Sequence, residues 1–299
     1  MMDQKHWLLL SKLITVAGIV ISMGAAHSPA SKVILQGKLL RSEMIDGTLN
    51  RAEITGPKGL KLKARFGDTE FAVVETGVSG EEATYESVFA VAFDTPPGEK
   101  NFEILWKEND AERTFSIPFV LKSGKYPFEK LSVDPSKVTP PKSALPRIAR
   151  EQEEINKVYK SSEANRIWKD PLVLPMRSEI TSSYGTRRVY NGAMKSYHAG
   201  TDFRAPVGTP IFAPTQGKVA LAKDLYFSGG TILLDHGNGF FTQYFHMSKF
   251  SVKVGDIVKP GDMLGLSGAS GRVSGPHLHW GVLIHRIKVN ALDAMEVLR

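Results

Sequence analysis

Gly275-Pro276-His277-Leu278-His279-Trp280-Gly281-Val282-Leu283-Ile284-His285 is an apolar run broken by regularly placed histidines. Its composition reads as a β-strand. Residues at i and i+2 of a strand point to the same face, so His277 and His279 stand side by side. Two adjacent imidazoles are costly unless something uses them, and a transition metal such as zinc does. Upstream, His198 and Asp202 are four apart in His198-Ala199-Gly200-Thr201-Asp202. They share a face whether the segment is helix or strand. The chain therefore offers His, Asp and His as candidate ligands, with a further His to spare. Three protein ligands plus an open position is the arrangement of catalytic zinc rather than of closed structural zinc.

Composition narrows the choices around that strand. The chain has 299 residues, 42% of them hydrophobic, enough for two domains. It contains no cysteine, so disulfides and thiolate metal sites are excluded and a metal must be held by His and carboxylate. The net charge is +7 and the pI about 9.4. A basic balance suits nucleic acid, anionic membranes or anionic polymers such as cell wall. The Lys and Arg residues are spread thinly, with no dense block, and nucleic acid is not an expected partner.

Residues 1–26 read as a signal peptide. Lys5, His6 and Lys12 are its basic region, Leu13 to Ala26 its uncharged run, and Gly24-Ala25-Ala26 its small-residue cleavage site. The run is short for a span of about 20 residues, so membrane contact is expected only through this segment. Export is implied. From 33 to 122, short β-branched and aromatic runs alternate with turn signals: Val33–Gly37, Leu60–Phe66, Phe71–Val74, Val88–Phe93, Phe102–Trp106 and Thr114–Leu121. Leu60, Leu62, Ala64 and Phe66 alternate with Lys61, Lys63 and Arg65 at period two. An immunoglobulin-like β-sandwich with no catalytic cluster is expected here. Residues 123–165 are a Pro-rich linker followed by an amphipathic helix. Ser143 is its expected cap, the helix runs to about Ser161, and Ile148, Ile155, Val158 and Tyr159 form its packing face.

A further β-domain fills 168–299. Thr209–Ala213, Gly217–Ala222, Thr231–Asp235, Phe240–His246, Asp262–Leu266 and His277–His285 read as strands of an antiparallel, turn-rich fold, with Asn238-Gly239 as a hairpin turn. The segments Val189–Tyr197 and Ser267–Pro276 read as loops beside the candidate ligands. His236 and His285 read as surface or satisfied core residues. Along 180–285 the order of motifs resembles the M23 (LytM or lysostaphin-type) zinc metallopeptidases of bacterial cell walls. The matching stretches are Ser182–Arg187, His198–Phe203, Gly208–Pro214, Gly217–Val219, Asp235–Gly239, Tyr244–Ser248, Gly255–Gly261, Gly265–Arg272 and Gly275–Trp280. The set covers about a third of the chain and is far more specific than any one motif.

The resemblance implies a mainly β chain whose C-terminal domain is of LytM type, like a barrel-sandwich hybrid. It implies Zn2+ as cofactor, with His198, Asp202 and His279 as ligands. It also implies that His246 and His277 are catalytic, flanking the metal-bound water and the attacked carbonyl. An imidazole can serve as base or as oxyanion donor. His277, held beside His279 on one strand, is the expected base and His246, from another strand, the expected transition-state stabiliser, with swapped or shared roles as the alternative. The substrate implied is peptidoglycan, cut at a peptide cross-link by an exported, monomeric enzyme of the periplasm. Members of the family cut glycine bridges or D-Ala–diaminopimelate cross-links; with a simple signal and no obvious wall-binding repeat, the D-Ala–diaminopimelate bond is the expected target. The competing reading is a non-catalytic LytM-type regulator that binds wall or activates a partner amidase. Such relatives lack zinc ligands, and all five residues are present here.

Overall fold

A computed structural model describes residues 33–192 and 194–299. The expected signal segment, residues 1–26, lies outside the described residues. No helix among those described is long and apolar enough to cross a membrane.

The front domain is built of two sheets. One has four strands in the order Gln36–Leu39, Leu49–Pro57, Glu82–Ala90, Val74–Ser79. The other has five, ordered Glu43–Ile45, Ala111–Lys122, Gly98–Glu108, Lys63–Phe66, Thr69–Phe71. Phe89 and Phe102, one from each sheet, stack at 4.0 Å with their planes 14° apart, and Phe71 and Phe119 pack around them. Several strands differ from their sequence expectation. Leu49–Pro57 was not expected as a strand at all. Its inward face carries Asn50, Ala52, Ile54 and Gly56, which is too weakly apolar to show a period of two. Asn50 is buried there because its amide donates to Arg41 O (2.7 Å) and accepts from Arg41 N and Arg51 N. The run expected at Val88–Phe93 begins earlier and stops at Ala90. The strand expected at Val33–Gly37 lies instead at Gln36–Leu39.

The linker is also more ordered than its prolines suggested. Phe128–Leu131 is a strand, paired in parallel with Arg187–Tyr190. Asn191 extends the seam by donating to Val133 O and accepting from Val133 N, both at 2.9 Å. A short helix, Pro135–Val138, follows. The long helix runs Leu145–Lys160, preceded by a 3-10 turn that contains Ser143. Ser143 is therefore not its cap. Ala144 takes that place without a side-chain bond, and Pro146 in the first turn has no N–H to satisfy.

The main sheet of the C-terminal domain has eight strands, and a separate sheet of three, Pro210–Phe212, Met263–Leu266 and Lys249–Phe250, accompanies it. The central order of the main sheet is Ile180–Ser182, Thr201–Arg204, His277–Ile284, Phe240–Met247, Gly229–Asp235, Gly217–Leu225, Ile257–Val258. One face carries Tyr244, Trp280 and Val282 into a core shared with Phe203, Ile211 and Leu264. The other carries Leu221, Leu225 and Leu233, and the long helix covers these with Ile155, Val158 and Tyr159. Coverage on both faces explains why Gly229–Asp235 is buried at every residue. Asn238 and Gly239 both hold positive φ in the turn that leads into Phe240–Met247, as the Asn-Gly pair predicts. The expected loop at 189–197 is instead largely a hairpin, Arg187–Tyr190 with Met194–Tyr197, turning at Asn191-Gly192.

The two domains clasp. Asp293, in the last helix Ala291–Val297, pairs with Arg41 and accepts from Leu49 N at 3.0 Å. Arg41 also reaches Glu296 at 3.0 Å, and Asn290 N donates to Gly47 O at 2.8 Å. Phe93 of the front domain stacks on Tyr197 at 4.0 Å, next to His198.

Candidate metal centre

Two neighbouring strands bring the ligand candidates together. Thr201–Arg204 pairs antiparallel with His277–Ile284, and the register sets Asp202 directly opposite His279. Directly opposed residues project on the same face of a sheet. His198 enters from the turn just before the first strand. Gly200 makes that turn possible. A Cβ there would lie 2.5 Å from His279 Nε2 and 2.6 Å from Trp280 O. The segment is thus neither a helix nor one continuous strand, and the four-residue spacing works through a turn.

The resulting triangle is tight. His198 Nε2 lies 2.8 Å from Asp202 Oδ1 and 3.0 Å from His279 Nδ1, and His279 Nδ1 lies 2.9 Å from Asp202 Oδ1. All three residues are buried. His198 Nδ1 is 2.9 Å from Ser183 O, and only an N–H can bond a carbonyl. A neutral His198 therefore turns a bare Nε2 toward a carboxylate oxygen and a second ring nitrogen. At most one proton, on His279 Nδ1, is left to share among three converging lone pairs. A cation at the centre resolves this. Bonds of about 2.0–2.1 Å to N and O would set tetrahedral donors a few tenths of an ångström further apart than they stand here. The residues present fit a divalent metal with two imidazoles and one carboxylate.

The electrostatics suit metal binding, which needs neutral imidazole and ionised carboxylate. Burial alone would raise Asp202, but the His198 and His279 rings beside it outweigh burial and hold it well below the usual carboxylate range. Burial pushes His279 down to about 4, with Asp202 partly opposing.

His277 and His246 stand beside the triangle without joining it. His277 Nε2 is 3.7 Å from Asp202 Oδ1. The His246 and His277 rings face each other at 4.7 Å. His246 comes from Phe240–Met247, where it takes φ 64°, a conformation that turns its ring out of the strand's alternation. His246 Nδ1 lies 2.8 Å from Ser270 O, and His277 Nδ1 lies 2.9 Å from Gly275 O. Both carbonyls accept from Nδ1–H, which leaves Nε2 on each ring for the cavity. Burial, then the nearby His277 and His279, push His246 down to about 3. The cavity holds about 250 Å³ and runs between the 272–276 loop and the linker strand, with Arg188, Glu129 and Tyr190 in its wall.

Three partners escaped the sequence reading. Arg188 is the first: its Nη2 donates to Asp202 Oδ2 (2.9 Å) and Ser182 Oγ (2.8 Å). Alternation along 187–190 sends one of Arg187 and Arg188 inward, but only pairing tells which. Phe245 is the second, stacked on His279 at 5.0 Å with planes 6° apart. The third is Glu129, from the linker. His236 and His285 are outside the centre, as expected. His236 is fully buried between Gln216 O (2.7 Å) and Thr242 Oγ1 (2.8 Å), and His285 packs edge-on against Phe71.

Comparison with known proteins agrees with this geometry. Residues 196–291 match the family model Peptidase family M23. The chain is similar to peptidoglycan DD-endopeptidase ShyA of Vibrio cholerae serotype O1: 39% identical over 116 residues, 38% of this chain and 27% of that protein. It is also similar to lysostaphin of Staphylococcus simulans: 39% over 112 residues, 36% and 22% of the two chains. The chain thus spans about a quarter of the length of these relatives. A crystal structure from Pseudomonas aeruginosa assigned to peptidase M23 superposes with a TM-score of 0.60 at 28% identity. That superposition covers 81% of this chain and 90% of the other, so the likeness extends beyond the matched segment. The buried His198–Asp202–His279 triangle lies inside the matched stretch, so residues 196–291 of the C-terminal β-domain carry both the match to peptidase family M23 and a three-residue set that could hold a metal.

Proposed function

We propose that the chain is a zinc metalloendopeptidase that hydrolyses peptide cross-links of peptidoglycan. The D-Ala–diaminopimelate bond is its target and the periplasm its site of action, after export on residues 1–26. The observation that carries this is a three-ligand triangle flanked on its cavity side by two imidazoles with Nε2 free. Two imidazoles and a carboxylate without thiolate suit zinc, and the relatives named as DD-endopeptidases support the bond. Zinc bound there would lower the pKa of a water ligand to about 7 and polarise the attacked carbonyl.

The chain's own residues do the rest. His277 Nε2 accepts the proton of the attacking water, since its Nδ1–H is committed to Gly275 O. His246, kept neutral by burial, faces the same cavity. Because its Nδ1–H is committed to Ser270 O, His246 can stabilise an oxyanion only through a proton on Nε2. The proton that His277 Nε2 takes from the water is the one returned to the leaving amine, and His246 donates to the oxyanion only while that proton is passed to its Nε2. Arg188 holds Asp202, and Ser183 O holds the His198 tautomer. We read the front domain as an immunoglobulin-like spacer of a monomeric enzyme, with peptidoglycan as the partner. Mass spectrometry of fragments released from purified peptidoglycan tests the proposal. Cross-linked dimers should fall to monomers with a new D-Ala carboxyl, and a chelator should stop the reaction. Dimers left intact by metal-loaded protein would favour the regulator instead.

A further inference from the structure

The linker strand Phe128–Leu131 lies outside the M23 match, yet it touches the metal centre through one arginine. Its register sets Glu129 beside Arg188, and Glu129 Oε2 accepts from Arg188 Nε at 3.2 Å. The far end of the same guanidinium donates from Nη2 to Asp202 Oδ2 at 2.9 Å. Arg188 and Asp202 side chains are only 11% and 8% exposed, while Glu129 is 34% exposed. We propose that Glu129 and Arg188 are positioning residues that fix the Asp202 carboxylate, making the linker strand a working part of the metal centre.

The geometry gives each group a distinct task. Asp202 has two oxygens, and Oδ1 sits in the triangle. Without a donor on Oδ2 the carboxylate could rotate about its Cβ–Cγ bond, and Oδ2 would be left buried and unpaired. The planar guanidinium spans both contacts, which an ammonium could not do. Arg188 alone would carry a problem, because its positive charge stands beside a site meant for a divalent cation. Glu129 offsets that charge at the far edge of the guanidinium. The Ser182 hydroxyl completes the set: it accepts from Arg188 Nη2 and lies 3.3 Å from His198 Nδ1, linking two ligands through one arginine. Every candidate site residue was expected beyond residue 180. Glu129 acts on the site from before that point, as a positioning residue, and it comes from a segment whose prolines suggested a linker.

The inference rests on the metal reading of the triangle, and zinc affinity of the full chain, measured against a colorimetric chelator, tests it without any peptidase assay. Outer partners of metal ligands typically contribute about 10–100-fold in affinity. Arg188→Ala should weaken zinc binding by about that factor, and Arg188→Lys should recover only part of it. Glu129→Gln keeps the shape and removes the charge. It should weaken binding about threefold while leaving the melting temperature of the metal-free protein unchanged, and should add little in the Arg188→Ala background. Unchanged or tighter binding in both Glu129→Gln and Arg188→Lys would overturn the proposal, even if Arg188→Ala does not fold. So would fully additive effects of the two positions, since they would then act separately. Altered affinity with no cleavage of peptidoglycan would sink the proposed function and leave this inference standing.

Discussion

At the scale of single residues, the triangle leaves little slack. Changing His198, Asp202 or His279 to Ala should abolish stoichiometric zinc in elemental analysis of pure protein. His246→Ala and His277→Ala should keep the metal, because neither ring belongs to the triangle, and should lower kcat by about 10²–10⁴-fold. A metal-free His277→Ala would remove that residue from the catalytic pair. Gly200→Ala forces a Cβ onto His279 and Trp280 O, so zinc binding should weaken at least about tenfold by the same chelator competition. His236 gives a pH effect. Its folded pKa is lowered to about 4 by burial, against 6.5 in a free ring. Below pH 6.5 the unfolded chain binds a proton that the folded chain refuses until about pH 4. Stability is therefore highest above 6.5 and falls as pH drops through that window, by up to about 3 kcal/mol for the shift. Urea midpoints from pH 7 to 4 should show the slope, and His236→Asn should reduce it by this residue's share, with buried His246 and His279 supplying the rest.

Among the elements, the long helix Leu145–Lys160 is the clearest case of a legible feature. Ile155, Val158 and Tyr159 recur at helical spacing, and all three pack on Leu221, Leu225 and Leu233. Tyr159→Ala removes that contact and the bond between its hydroxyl and Gln243, and should cost about 2–4 kcal/mol in urea unfolding. The histidine strand was legible for the same reason: period two fixes His277 and His279 on one face whatever they pack against. The ligand candidates were legible because a chain without cysteine can offer only His and carboxylate, but the choice of His279 over its neighbour His277 rested on the resemblance to the M23 peptidases. The linker strand was not, since a four-residue run between prolines acquires meaning only from a partner some sixty positions away. Leu49–Pro57 was missed because Asn50 and Gly56 dilute its buried face. Arg188 was missed because one of two adjacent arginines turns inward only once Arg187–Tyr190 is paired on both sides.

On the scale of the whole molecule, the front domain is bound to the peptidase domain at several points rather than tethered to it. Asp293 is the hub, holding Arg41 and Leu49 N together. Asp293→Ala should lose both and leave a buried N–H without a partner, costing about 1–3 kcal/mol. A single urea transition should then separate into two, and limited proteolysis should cut more readily between the domains. The clasp has a further consequence, for the order of assembly. Arg41 meets Asp293 across 252 positions and Glu296 across 255. Each domain can form its sheets from strands much nearer in sequence, and closing the longer loop gains nothing until both exist. A chain emerging from its N-terminal end therefore completes the front sandwich while the residues that lock it in place are still to come. The lock closes last, after Tyr197 is already available to stack on Phe93.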